Sequence, residues 1–179
     1  MTQLSRFLRA FVFGIALLGL AGCTSTQVNI SVPPRVDRGA AWCVLPLVNN
    51  TSTPYAGARA QRQLAALLGA QGLQRVTTAP DDAGGGPLPI SNNAKLQKTA
   101  IAWARRHDAR YALTGSVDEW HYKIGLDGQP AVGFTLHLVD LRTGTTIWSG
   151  ASSASGTSRE GLAVLSQRVL ARLVRLMLP

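Results

Sequence analysis

Two cysteines, nine acidic residues and three histidines are all that the 179-residue chain has of the side chains from which most catalytic and metal sites are built. Each scarcity excludes something. Cys23 closes a leader-like segment, so Cys43 is left as the one remaining thiol and no disulfide can form within a subunit. Cys43 lies in the apolar run 41–48, where a buried, inert thiol is expected rather than a nucleophile. His107, His121 and His137 are scattered, with no spacing that places two on one helix face or pairs one with the thiol. Asp118 and Glu119 are adjacent in a stretch that reads as a strand. Strict alternation sends their side chains to opposite faces, so no carboxylate pair is expected there. Gly-x-Ser-x-Gly, His-Glu-x-x-His, Gly-x-Gly-x-x-Gly and P-loop patterns are all missing. Nothing recommends an enzyme, and neither cofactor nor metal is expected. No apolar run reaches the about 20 residues that a membrane span needs.

What is present begins at the N-terminus. Arg6 and Arg9 precede an apolar run over 11–20, and Leu20-Ala21-Gly22-Cys23 follows it. A basic start, an apolar core of about 10–12 residues and a small-residue exit mark a secretory signal peptide. The exit resembles the bacterial lipobox, which implies cleavage before Cys23, a diacylglycerol on its thiol and acylation of its freed amine. Thr24, where an Asp would imply inner-membrane retention, favours the periplasmic side of a Gram-negative outer membrane. Loss of residues 1–22 leaves 157 residues and lowers the formal charge from +9 to +7. A periplasmic address makes nucleic acid an improbable partner for that charge; anionic lipid or an acidic neighbouring subunit fits better.

Residues 24–39 carry no helical or strand period, so 23–40 reads as a lipidated tether and 41–179 as one periplasmic domain. Within it, 41–48 is an interior strand weakened by Pro46. A helix capped by Thr53, with Pro54 at its first position, runs to about Ala70, and a short strand occupies 73–78. The stretch 79–89, rich in Gly and Pro, is a surface loop; Ser91-Asn92-Asn93 caps a helix through Arg106. Strands follow at 110–122, 131–141 and 145–152, the first two joined at the turn signal Asp127-Gly128. Asp140 is assigned to holding backbone amides in the second turn. In the last strand Ile147, Ser149 and Ala151 share one face, and Trp148 points the other way with Thr146, Gly150 and Ser152, either as an exposed contact residue or packed under a loop or helix. Thr157-x-x-Glu160 is a capping box for a final helix, whose Arg168, Arg172 and Arg175 form a stripe. The expected fold is α+β, a mixed sheet of about five strands sandwiched with three helices.

Three segments carry a resemblance: residues 44–50 (Val-Leu-Pro-Leu-Val-Asn-Asn), 111–118 (Tyr-Ala-Leu-Thr-Gly-Ser-Val-Asp) and 138–148 (Leu-Val-Asp-Leu-Arg-Thr-Gly-Thr-Thr-Ile-Trp). Behind a lipobox, they resemble the periplasmic domain shared by the TolB amino-terminal domain, the curli lipoprotein CsgG and the peptidoglycan-synthase activator LpoB. Within that group the chain is most similar to the PelC family, outer-membrane lipoproteins of Pel exopolysaccharide export. The resemblance implies a homo-oligomeric ring of twelve beside a PelB-like scaffold and barrel, passing a cationic amino-sugar polymer. It implies Asp118 on the conduit surface, and Trp148 with Trp120 at a membrane or partner contact. The arginine stripe would then lie at subunit interfaces or against lipid. A regulator of a cell-envelope synthase, similar to LpoB, is the alternative.

Overall fold

The computed structural model describes residues 26–80, 93–124 and 128–179. The leader with Cys23, most of the Gly/Pro-rich loop, the Ser91-Asn92 cap and Asp127 lie outside the described residues.

Pro46, which has no amide hydrogen to give a ladder, divides the expected first strand. β2 (Trp42–Val44) and β3 (Val48–Asn49) are its two halves. β2 runs parallel to β4 (Val76–Thr78) on one side and to β5 (Tyr111–Tyr122) on the other; β3 also pairs with β5. β5, β6 (Pro130–Asp140) and β7 (Thr145–Ser155) form an antiparallel meander. Asp140 accepts the Arg142 amide at 2.9 Å in the turn between β6 and β7, the structural part expected of it.

The expected tether corrects most. Thr26–Ile30 is a strand, β1, laid antiparallel along the outer side of β7 from Thr26 opposite Ala154 to Ile30 opposite Gly150. Ser31 extends the attachment, its hydroxyl bonding both the carbonyl and the amide of Ser149. The stretch does alternate, Val28, Ile30 and Val32 with Gln27, Asn29 and Ser31, a period-two signal that the tether reading misses. Ile30 and Val32 stay exposed, so backbone pairing rather than burial holds the strand. The sheet therefore has seven strands, ordered β1-β7-β6-β5-β2-β4 with β3 beside β5.

Among the described residues, three helices cover the sheet unequally. α1 (Ala56–Ala70) buries Ala60, Leu64 and Leu68, and α3 (Leu162–Met177) buries Leu165, Val169, Leu173 and Met177. Both pack on the face carrying Val44, Leu113, Val117 and Phe134. α2 (Asn93–Arg106) sets Ala100 and Ala104 against Cys43 and Ala112 on the opposite face. Its alanines permit close approach, but α2 covers only the β2 side and the start of β5.

Two helix starts differ from expectation. The Thr53 hydroxyl donates to the Trp120 carbonyl at 2.6 Å, and α1 begins after Tyr55, whose φ is 61°. The Thr157 carbonyl receives the Glu160 amide in a turn, and the Glu160 carboxylate holds Arg168 at 2.9 Å. With the Glu160 carboxylate engaged by Arg168, α3 starts at Leu162 after Gly161, which has no side chain to cap it.

Candidate functional site

Beyond α2, the second face of the sheet is open over the end of β5, β6, β7 and β1. A shallow groove of about 530 Å³ lies there, lined by Gln27, Asn29, Asp118, Glu119, His121, Thr135 and Ser153 among others. Among the described residues no lysine or arginine lines it.

A β-bulge makes this groove acidic. Val117 stands opposite Phe134 and Glu119 opposite Gly133, so Asp118 is an extra residue without a partner on β6. The alternation is thereby reset. Asp118 and Glu119, expected on opposite faces, both line the open groove. Glu119 and His121 approach to 3.5 Å. Glu119 is the site residue that sequence reasoning missed, since a bulge has no signature in hydrophobic periodicity.

Three donors hold the Asp118 carboxylate: Ser116 Oγ at 2.7 Å, Thr135 Oγ1 at 2.7 Å and Asn50 Nδ2 at 3.0 Å. Partial burial pushes its pKa up, but the hydrogen bonds from Ser116, Thr135 and Asn50 together outweigh it and leave the group below its ordinary range. Asp118 is a fixed, exposed anion.

The same parity shift corrects the two tryptophans expected at a contact surface. Past the bulge Trp120 returns to the core side, 2% exposed and edge-to-face with Phe134. In β7, Leu138 pairs with Trp148 and Val139 with Thr146, so Ile147 is a second extra residue. Trp148 therefore points inward with Gly150, Ser152 and Ala154, and is 1% exposed. Its ring lies over Gly150, where a β-carbon would collide with it. Neither indole can make the contact expected of it. Arg168, Arg172 and Arg175 do lie exposed together on the outer side of α3, away from the groove. The burial of Cys43 pushes its thiol pKa up, with hydrogen bonds involving Thr77 and Ala79 opposing, as suits an inert core residue. Among the described residues no group of three or more metal-ligating side chains exists, and no helix is long and apolar enough to cross a membrane.

Known proteins share this fold. The family model for the peptidoglycan-synthase activator LpoB matches residues 89–153. The lipoprotein GNA1162 from Neisseria meningitidis shares the fold, with 19% identity, 76% of this chain and 96% of that one covered and a TM-score of 0.50. The protein is thus an α+β domain with an open mixed sheet and the fold of that lipoprotein. Its nearer relation is to the PelC dodecamer of Paraburkholderia phytofirmans: 33% identity, 86% of this chain and 97% of that chain covered, TM-score 0.72. A variant of that PelC in another crystal form gives 33% identity, 86% and 98% coverage and a TM-score of 0.73. No curated protein matches the sequence. The chain belongs to the PelC family.

Proposed function

We propose that this protein is a non-catalytic, lipid-anchored component of a Pel-type exopolysaccharide export machine. The observation that carries the reading is 33% identity to PelC across 97% of that chain. Residues 1–22 leave as the signal peptide, acylated Cys23 holds the protein to the periplasmic side of the outer membrane, and 41–179, extended by β1, is the working domain. Like its dodecameric relative, the chain closes into a ring, which stands beside a PelB-like outer-membrane barrel.

The groove supplies the conduit surface. An amine of a cationic amino-sugar polymer about 4 Å from one carboxylate gains ~1 kcal/mol in water and ~4 kcal/mol near a protein surface. Such a site is too weak to trap a chain, and repetition around a ring turns it into a continuous negative field. The net positive charge of the protein is compatible with this, because among the described residues no lysine or arginine lines the groove. Asp118→Lys is expected to abolish polymer export while protein level and native mass stay unchanged. Normal export by that variant would remove the groove from the conduit.

The match of 89–153 to the LpoB model favours a second reading, a lipoprotein regulator of an envelope synthase. Such a regulator must reach across the periplasm. With β1 in the sheet, only two residues separate Cys23 from Thr26, a reach of about 10 Å. That shortness favours a component held close beneath the outer membrane.

A further inference from the structure

We infer that His121 is a competing cation built into the groove, which sets how strongly Glu119 holds an amine of the polymer. The inference rests on the conduit reading proposed above and adds to it a residue that tunes the hold. Glu119 and His121 stand two apart on β5 past the bulge, so their side chains leave the sheet on one face. Glu119 Oε1 lies 3.5 Å from His121 Nε2, and both residues line the groove. A protonated imidazole and an incoming amine therefore contend for one carboxylate, whereas a neutral imidazole leaves it to the amine. Asp118 differs, because its three partners, Ser116, Thr135 and Asn50, are neutral donors. Asp118 thus keeps the groove negative throughout, and His121 governs the share that Glu119 adds.

The surroundings leave His121 as the group whose protonation decides. On its own strand Asp118 and Glu119 precede it and Lys123 follows, the Lys123 ammonium donating to Ser155 Oγ at 2.6 Å. Across the sheet His121 stands opposite Ala131, and Ala131 opposite Ser155; Glu119 stands opposite Gly133, and Gly133 opposite Ser153. From β1, Gln27 and Asn29 reach the rim. Among the described residues no acid or base lines the groove from β6, β7 or β1. The other histidine of this face, His137, lies farther along β6, bonded to Ser149 Oγ at 2.8 Å and outside the groove. Histidine is the side chain whose charge ordinarily changes between about pH 5 and 8, where carboxylates and ammonium groups keep theirs. The groove therefore holds a cationic polymer more firmly in a neutral medium and loosens as the medium is acidified. By linkage, an amine that takes Glu119 weakens the hold of His121 on its proton, so binding releases protons.

The test measures binding of a fluorescent glucosamine oligomer to the mature protein in detergent, at about pH 8 and about pH 5.5 and constant ionic strength. The amines of the oligomer are trimethylated, so their charge is permanent and only the protein titrates. Binding is expected to weaken roughly fivefold per site at the lower pH, the worth of one carboxylate–ammonium contact in water. His121→Gln should bind equally well at both, Glu119→Gln weakly and equally at both, and His137→Gln should keep the wild-type difference. The His121 side chain is 49% exposed, so its replacement leaves the packing of the sheet intact. Calorimetry in two buffers of different ionisation heat reads the released protons, expected for the wild type and lost in His121→Gln. Equal wild-type binding at the two pH values overturns the role of His121, as does a difference that His121→Gln retains. Binding at neither pH, with Asp118→Lys no different, overturns the conduit reading and this inference with it.

Discussion

Asp118 gains its place by three hydrogen bonds. They lower its pKa against the opposing effect of partial burial, so the groove keeps its charge through the range in which a periplasmic protein works. The sign has a consequence for stability. A carboxyl more acidic folded than unfolded favours the fold above the ordinary aspartate range, and that contribution disappears as pH falls through the lowered value. Removing two of the three donors leaves only the Asn50 amide to oppose the effect of burial. The double substitution Ser116→Ala and Thr135→Val should therefore raise the Asp118 pKa, followed by the carboxyl carbon shift in an NMR titration. An unchanged value would show that these hydroxyls do not set it. Gly150 is a second residue with a single physical reason. Its missing β-carbon makes room for the Trp148 indole, so Gly150→Ala should destabilise the protein by about 1–3 kcal/mol through overpacking. Chemical denaturation with Trp148 fluorescence as the probe measures this, and a wild-type midpoint would contradict the packing described.

Among the elements, β5 does the most for function. Its first half pairs β2 and β3 in parallel and is covered by α2; its second half, past the bulge, opens onto the groove. One extra residue lets both Val117 and Trp120 face the core with two acids between them. Deleting Asp118 gives a sharp expectation. Val117 and the tryptophan would then be two apart, as regular pairing requires, so the core should survive while the groove loses one carboxylate and its three hydrogen bonds. Near-UV circular dichroism should stay close to that of the native protein as export is lost. A collapse of tertiary signal would mean that the bulge is needed for folding itself. β1 acts differently: it adds no core, but its backbone pairing brings Gln27 and Asn29 to the rim of the groove and shortens the anchor.

At the scale of the whole molecule, charge and polarity are segregated. Asp118 and Glu119 occupy the open face of the sheet, the arginine stripe of α3 lies on the opposite layer, and Arg59 and Arg62 line a separate groove between the helix starts. Such a distribution suits a subunit that must present different surfaces to polymer, neighbours and lipid at once. Residues 24–179 without acylation should run as a closed ring in native mass spectrometry. A monomer at high concentration would instead support the regulator reading.

The sequence by itself determined the lipobox, the order and approximate spans of the helices and the main strands, the inert character of Cys43 and the turn role of Asp140. These are local: caps, periods and turn residues act within a few positions of themselves. Resemblance in three short segments led to the PelC family and to Asp118. Tertiary structure alone decided the rest. β1 alternates as a strand does, but its partner lies more than a hundred residues away and no local pattern names it. The two bulges each reset a period-two alternation by one residue, and that single step buried Trp120 and Trp148 and brought Glu119 beside Asp118. Parity along a strand is legible in a sequence only while every residue has a partner. Where one does not, the neighbouring strand decides which way the chain faces.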